Sequence, residues 1–233
     1  GCKILNDVLN RFTLNFHGLG KPHADVKEEE VPHWCPEDEY KRFLDAVVEL
    51  REKLKQTTEI RITFDDGNKS DIAIGVPALV ERGLDATFFI CSERLNNPAY
   101  LNQADLADMR ARGMQIGCHG ATHIPLRGLD DNTLKAETVD ARATLSAAIG
   151  SEVSSFAIPF GSYDRHVLAA LKTFDEFHTS DFQVSHSGAR IVTRHGYYTG
   201  WSVKAFQDSA SNLPTGPRAF LGRAKLLIKR VRP

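Results

Sequence analysis

The chain has 233 residues, 42% of them hydrophobic, with 29 basic against 30 acidic side chains and a net charge of -1. This length and apolar content allow one large core, and because no long proline-, glycine- or serine-rich linker divides the chain, we expect a single domain over residues 1–233. A charge so close to neutral gives no general reason to expect nucleic acid as a partner, and we expect none.

Seven short runs rich in β-branched and aromatic residues follow one another along the chain, each bounded by turn residues. They are RFTLNF (11–16), EIRITF (59–64), DATFFIC (85–91), GMQIG (113–117), SSFAIP (154–159), EFHTS (176–180) and RIVTR (190–194). Helical patterns with one apolar stripe lie between most of them, as in residues 36–54 and 130–150. This alternation predicts a parallel sheet with helices outside, either doubly wound or closed, and seven repeats favour a barrel.

Polar side chains follow five of the predicted strands. The carboxyl ends of parallel strands meet at one edge of a sheet, where the ligand sites of such folds gather. The residues concerned are His17, Asp65, Asp66, His119, His123, Pro159 to Tyr163, Arg194 and His195. Asp65 and Asp66 are adjacent, and because like charges repel, one of them needs a cation or a proton.

A catalytic metal site is the chemistry that this set of side chains suits best. His119 and His123 are four residues apart, which puts both imidazoles on one side of a single helical turn. Two imidazoles and one carboxylate leave positions for water and substrate, as in catalytic zinc sites, and Asp66 is the natural third ligand. Asp65, left unligated, is then placed to take a proton from the water as general base. Each pattern alone is common in loops and turns, but their conjunction at strand ends favours a site.

Three motifs together resemble the polysaccharide deacetylases of the NodB-homology type, carbohydrate esterase family 4. They are TFDDG, then HGATH, then IPFGSYD, and the resemblance runs from about residue 59 to 195. It implies an α/β fold, a distorted (β/α)7 TIM-like barrel, and a metal-dependent hydrolase that removes an N-acetyl or related acyl group from an amino sugar. It also implies Asp65 as base and Asp66, His119 and His123 as ligands of one divalent ion. Zinc is favoured for this ion, with cobalt, nickel or manganese as alternatives.

The third motif is expected to contact the substrate through Pro159, Phe160, Gly161 and Tyr163. The resemblance implies that the backbone N–H of Phe160 donates to the oxyanion that develops on the acyl oxygen.

Two departures from the family pattern concern the base and the acid. Members ordinarily carry an arginine two residues before the motif proline, where it orients the base, and this chain has Ala157. Many members also end in a Leu-x-His motif whose histidine protonates the leaving amine, whereas this chain reads RIVTRHGYY. We therefore expect Arg194 to replace the missing arginine and either His195 or His17 to supply the acid. A turn histidine is the alternative for His17.

The C-terminal segment, about residues 217–231, places apolar residues at helical spacing with lysines and arginines on the other side. Such a helix suits an anionic membrane surface and would bring the enzyme to a lipid-linked sugar. Alternatively, its apolar stripe packs on the barrel and its charges face water.

Localisation is indicated only by what the sequence lacks. The four cysteines form no CxxC pair, no apolar run approaches the length of a membrane span, and no signal-peptide pattern stands at the N-terminus. We expect a cytoplasmic protein, peripheral to the membrane at most, with a leader removed before Gly1 as the alternative.

Two other functions stay open beside the favoured deacetylase. A carbohydrate-binding protein that keeps the metal site without turnover is suggested by Ala157 and the missing terminal histidine. A different amidohydrolase, such as a deformylase-like enzyme, would use the same site on another acyl group.

Overall fold

Strands and helices alternate along the chain in the computed structural model, which describes residues 9–213 and residue 231. The strands are β1 (Asn10–Phe16), β2 (Thr58–Phe64), β3 (Thr87–Ile90), β4 (Gln115–Cys118), β5 (Ser155–Ala157), β6 (Glu176–Thr179), β7 (Ser185–His186), β8 (Ile191–Thr193) and β9 (His195–Gly196). The α-helices are α1 (Glu37–Leu54), α2 (Val76–Glu81), α3 (Gln103–Ala111), α4 (Asp131–Lys135), α5 (Ala141–Ile149), α6 (Arg165–Ala170) and α7 (Val203–Ser211). A π turn, Ala136–Asp140, joins α4 to α5, and a second one, Asp71–Gly75, leads into α2.

The strands form an almost closed barrel. Neighbours pair in the order β7-β1-β2-β3-β4-β5-β6-β8, and every pair on this path is parallel except β7 with β1. After β8, the chain passes through one residue into β9, which pairs in parallel with β1 and so nearly completes the ring. All seven predicted strands are present, and the predicted barrel of alternating strands and helices is confirmed. The strands β7 and β9 were not predicted, because two residues are too few to show a period.

The outer face of β1 packs against helices. Phe12, Leu14 and Phe16 alternate along the strand and are all buried. The ring of Phe16 lies 5.9 Å from that of Phe43 in α1, and the ring of Phe12 lies 5.7 Å from that of Phe206 in α7. The apolar core therefore lies between the barrel and its helices.

The inner face of β1 is polar. Arg11, Thr13 and Asn15 occupy the alternate positions and are buried. Arg11 donates a hydrogen bond of 3.0 Å to Glu176 of β6, which stands across the barrel. Because side chains alternate with period two, the same face continues through Asn15 to His17 at the carboxyl end of the strand.

Several predictions concern the ends of the chain, membrane spans and the cysteines. The segment predicted as a basic helix, about residues 217–231, lies outside the described residues except for Val231, and so does Cys2. Within the described part of the chain, no helix has both the length and the apolar character needed to cross a membrane. Three cysteines in that part are buried free thiols, namely Cys35, Cys91 and Cys118.

Candidate active site

A cleft of about 380 Å³ opens at the carboxyl ends of the parallel strands. Its walls collect side chains that follow β1, β2, β4, β5 and β8, as the parallel arrangement leads one to expect. Six of the polar residues named from the sequence line it: His17, Asp65, Asp66, His119, His123 and Arg194.

Asp66, His119 and His123 form a set of donors suited to a metal ion. Their ligand atoms all lie within 4.8 Å of one another. Asp66 Oδ1 is 3.1 Å from His123 Nε2, 3.6 Å from His119 Nε2 and 3.3 Å from Arg94 Nη1, yet it receives no well-aligned hydrogen bond from the described residues. His119 Nδ1–H donates to the carbonyl oxygen of Ala157 at 2.8 Å, which leaves the Nε2 lone pair facing Asp66. A buried carboxylate oxygen without a hydrogen bond, facing two oriented imidazoles, fits a divalent cation.

The backbone at this donor set is strained. Asp66 and His123 have φ values of 79° and 60°, in the left-handed region that residues other than glycine rarely adopt. Each such residue costs roughly 1–3 kcal/mol and persists only where the surroundings enforce it. Gly67, beside Asp66, also has a positive φ, 71°, and its missing side chain lets the tight turn pass close to Ile90. Strain gathered on two of the three donors is typical of a functional site.

Asp65 is held by a second, separate set of contacts. Arg194 Nη1 and Nη2 donate to its two carboxylate oxygens at 2.6 and 2.8 Å, a forked arrangement with high geometric specificity. Asn15 Nδ2 donates to Asp65 Oδ2 at 3.2 Å, and Asn15 Oδ1 in turn accepts hydrogen bonds from Arg194 and from the hydroxyl of Thr63. The orientation of Asp65 is therefore fixed by charge and by amide geometry together.

The electrostatics separate charged carboxylates from neutral imidazoles. Burial by itself would raise the pKa of Asp65, but the Arg194 guanidinium, with His119, holds that pKa well below its usual range. Burial is also the largest effect on Asp66 and opposes its ionisation, but His123, His17, His119 and Arg94 together outweigh it, so the pKa of Asp66 is lowered as well. Burial lowers the pKa of both His119 and His123, which keeps their nitrogen lone pairs available. These protonation states are the ones that metal ligands and a general base require.

His17 stands on the cleft side of Asp65. Its Nε2 lies 3.9 Å from Asp65 Oδ2, and burial lowers its pKa although Asp65 opposes the shift. The ring of His33 lies 5.2 Å from the ring of His17, and His33 Nδ1–H donates to the backbone carbonyl of Tyr197 at 3.0 Å. Two histidines therefore line one wall of the cleft, and His17 is the one beside Asp65.

Residues 52–175, more than half of the chain, match the family model described as polysaccharide deacetylase. The chain belongs to the polysaccharide deacetylase family. Among curated proteins, no sequence matches this chain.

Solved structures of deacetylases share the fold. A polysaccharide deacetylase from Bacillus cereus is 17% identical, with a TM-score of 0.74, and the match covers 87% of this chain and 69% of that one. The Streptococcus pyogenes deacetylase PplD, in complex with acetate, is 15% identical with a TM-score of 0.74, covering 87% and 99%. IcaB from Ammonifex degensii is 18% identical with a TM-score of 0.71, covering 87% and 97%. At these identities the likeness establishes the fold, and the expected NodB-type barrel is confirmed.

The family motif around Pro159 reaches the cleft through one aromatic side chain. Phe160 is exposed, has a φ of 56°, and places its ring 4.6 Å from that of His123. Pro159 and Gly161 are buried and shape the turn beneath it. Tyr163, expected to contact the substrate, is fully buried and its hydroxyl donates to Asp181 at 2.8 Å. Its ring packs in the core of this deacetylase-family barrel, so a direct contact with a ligand in the cleft is not supported.

His195, expected at the cleft as a candidate acid, lies on the other face of the barrel wall. His195 lies opposite Leu14 where β9 pairs with β1. Its imidazole ring stacks on the ring of Phe12, and the two ring centroids are 4.1 Å apart. Because side chains alternate, Arg194 and Gly196 face the cleft while His195 shares the outer face of β1. The structure therefore leaves His17 as the histidine of that pair that lines the site.

Other residues of the cleft carried no specific prediction. Asn15 could have been found from the alternation in RFTLNFH, which puts it on the same face as His17. His33, Glu30 and Phe182 also line the cleft. Glu30 and His33 lie in a short 3₁₀ helix, Glu28–His33, and Phe182 lies in a loop. The course of both segments depends on tertiary packing, so no local pattern indicates these residues.

Proposed function

We propose that the chain is a metal-dependent deacetylase that hydrolyses an N-acetyl or related acyl amide on an amino sugar, in a polysaccharide or glycolipid precursor. One observation carries the proposal: a metal-type donor set and an ionised, oriented carboxylate lie side by side in the cleft of a polysaccharide deacetylase barrel. Asp65 Oδ2 is 3.9 Å from Nε2 of the donor His119. Amide hydrolysis of this kind needs an electrophilic centre and a proton acceptor close to each other.

Asp66, His119 and His123 would hold the metal ion. Two imidazoles with one carboxylate favour zinc, and cobalt, nickel or manganese are the alternatives. When bound, such an ion would polarise the acyl carbonyl and make a nearby water more acidic. The chain's own contribution is to present the histidines neutral and Asp66 charged, which the directions of their pKa shifts support.

Asp65 would accept the proton of the attacking water. It stays ionised at neutral pH because Arg194 opposes the effect of burial on its pKa. Arg194 would act as the orienting arginine that Ala157 does not supply, with Asn15 fixing the same carboxylate from the side.

His17 would return a proton to the departing amine. Its Nε2 is 3.9 Å from Asp65 Oδ2, so a proton taken by the base needs only a small shift, or one bridging water, to reach the imidazole. The N–H of Phe160 would donate to the oxyanion, as the family motif implies.

The cleft also offers apolar surface for a sugar ring. Phe160, Phe182 and Tyr198 line it with exposed fractions of 56%, 54% and 46%. Aromatic faces of this kind pack on the apolar faces of sugars by the contacts that also fill protein cores. The acetate bound in the solved structure of PplD agrees with an N-acetyl substrate.

Bound metal per chain is the first measurement, made by elemental analysis of protein purified without chelator. We expect close to one zinc or cobalt ion in the wild type and loss of the ion in folded Asp66→Ala and His123→Ala variants. Acetate and formate release from N-acylated glucosamine oligosaccharides would follow, with Asp65→Asn as the variant that keeps the metal. Release of formate in preference to acetate would assign a deformylase-like activity instead.

The competing function is carbohydrate binding without turnover. Asp65→Asn separates the two, because only an enzyme should lose turnover while ligand affinity is largely kept. No metal in the wild type, even after reconstitution, would contradict the proposed hydrolase.

Membrane attachment through residues 217–231, next to a lipid-linked substrate, is a separate proposal. It predicts co-sedimentation with anionic liposomes that is lost on deleting residues 217–233. Sedimentation that persists after the deletion would contradict it.

A further inference from the structure

The loop between the two histidine donors is held by one buried carboxylate that the deacetylase motifs do not include. Glu137 is 3% exposed and accepts hydrogen bonds from the backbone N–H of Ala121 at 2.8 Å and of Thr122 at 3.1 Å. The hydroxyl of Thr122 donates a further short hydrogen bond to the same carboxylate. Both anchored residues lie in the sequence between His119 and His123.

The loop wraps closely around this carboxylate. Gly120 has a φ of 84°, and a Cβ at that position would lie 2.9 Å from Glu137 Oε2. On its other side the loop is tied to the segment after β3, where the N–H groups of Ser92 and Glu93 donate to the carbonyls of Gly120 and Ala121 at 3.0 and 3.1 Å. Glu137 is therefore one of two clamps on the backbone that links the histidines.

The setting of Glu137 favours a role at the site over a general role in packing. It lies in the π turn Ala136–Asp140, and interruptions of this kind inside a helix frequently occur at functional sites. Among the described residues, no cationic side chain forms an ion pair with Glu137, and its carboxylate accepts hydrogen bonds from the loop donors of Ala121 and Thr122. Hydrogen bonds to an ionised acceptor are roughly twice as strong as neutral ones.

We propose that Glu137 is a positioning residue for the metal site, which sets the separation and orientation of His119 and His123 by fixing the loop between them. The inference rests on the proposed metal-dependent function. It concerns a residue that does not touch the ion, and outer partners of this kind typically change metal affinity by about 10- to 100-fold when they are removed.

The test is cobalt binding by Glu137→Gln, which keeps the size of the side chain and removes its charge. We expect the Kd for Co²⁺ to rise by about 10- to 100-fold and the visible absorption of the bound ion to change shape, because the histidine geometry relaxes. Glu176→Gln is the matched control, since Glu176 is a half-buried carboxylate that contacts Arg11, Arg61 and His178 and lies away from the loop. It should lose stability while its cobalt affinity and spectrum stay as in the wild type.

Wild-type affinity and spectrum in folded Glu137→Gln would overturn the role of Glu137 alone, because the wild-type site would still bind cobalt. A wild type that binds no cobalt would overturn both this role and the proposed function. If Glu137→Gln does not fold, Thr122→Val takes its place, since it removes one donor from the same carboxylate. We then expect a Kd raised several-fold, and an unchanged Kd and spectrum would refute the proposal.

Discussion

Replacing Arg194 by methionine is the most direct probe of the site, because it removes a guanidinium and keeps much of the length of the side chain. The exposed fractions of the Arg194 and Asp65 side chains are 1% and 3%, and two hydrogen bonds of 2.6 and 2.8 Å join them. Removing one partner of a buried pair leaves the other as an uncompensated charge, at a cost of about 3–5 kcal/mol. Asp65 relieves part of this cost by taking up a proton, since burial raises its pKa once Arg194 no longer opposes it.

Two measurements follow from this loss. Urea unfolding should show Arg194→Met less stable than the wild type, by at most about 3–5 kcal/mol. The kcat/KM for acetate release should fall by about 10²-fold or more near neutral pH, with the acid limb of its pH profile moved upward, because the base is now protonated there. Arg194→Lys should fall between the two, since it keeps the charge and loses the fork. An acid limb and a turnover both unchanged in Arg194→Met would refute the reasoning.

An arginine introduced at position 157 tests whether the guanidinium that orients Asp65 can come from either strand. Ala157→Arg places an arginine where family members ordinarily carry one, and in the Arg194→Met background we expect it to restore part of the lost activity. The same substitution in the wild type should destabilise the protein by about 1–3 kcal/mol, because Ala157 is fully buried and the new side chain overpacks the barrel. Failure of the double variant to recover any activity, with its fold intact, would contradict the proposed exchange of arginines.

Three further predictions address the pH response, the metal and the packing. Burial lowers the pKa of His195 from 6.5 to about 4, so the free energy of unfolding should fall as pH drops through this window, because the unfolded chain takes up the proton first. His195→Phe should flatten that part of the curve in urea titrations and leave acetate release intact, and an equal slope in both proteins would contradict the assignment. Chelator treatment should abolish activity in the wild type, and zinc should restore it there but not in Asp66→Ala; activity that survives chelation would argue against the metal. Gly117→Ala should lower the free energy of unfolding by about 1–3 kcal/mol, because its Cβ would lie 2.4 Å from the Phe89 ring. Gly196→Ala, with nothing within 4 Å of the new Cβ, should change it by less than about 0.5 kcal/mol.

The barrel strands were predictable because each carries its own local evidence. In β1 and β2, buried apolar residues alternate with polar ones, and the two strands pair along their full length from Asn10 with Thr58 to Phe16 with Phe64. Once the strands are parallel, their carboxyl ends must meet, so the approach of Asp66 to His119 and His123 follows from chain order. What the motifs indicated was therefore the location of the donor set, and its binding of a metal stays a proposal.

Two residues that were expected at the cleft, His195 and Tyr163, do not line it. The face on which their side chains lie is decided by strand pairing and by the course of the chain, which the local sequence does not show. Arg194 and His195 are neighbours in the chain, and the sequence offered both for the cleft. The pairing of His195 with Leu14 turns one of them inward and the other outward, and a two-residue strand gives no pattern from which to choose. Tyr163 likewise follows a cleft-lining turn, yet its ring is buried, because the chain has already left the cleft toward α6.

The proposed exchange of the motif arginine at position 157 for Arg194 has a geometric basis in the barrel. Alternation along β5 puts Ala157 on the same face as Ser155, whose Oγ lies 2.8 Å from the position of a Cβ at Gly117 inside the barrel. An arginine at 157 would thus enter the layer of the barrel where the guanidinium of Arg194 now lies, 5.5 Å from the ring centroid of Phe89. Two guanidinium groups in this layer would repel each other and compete for one carboxylate, so the small side chain at 157 is what the arginine at 194 requires. The departure from the family motif at position 157 and the arginine at position 194 are, in this interpretation, one change rather than two.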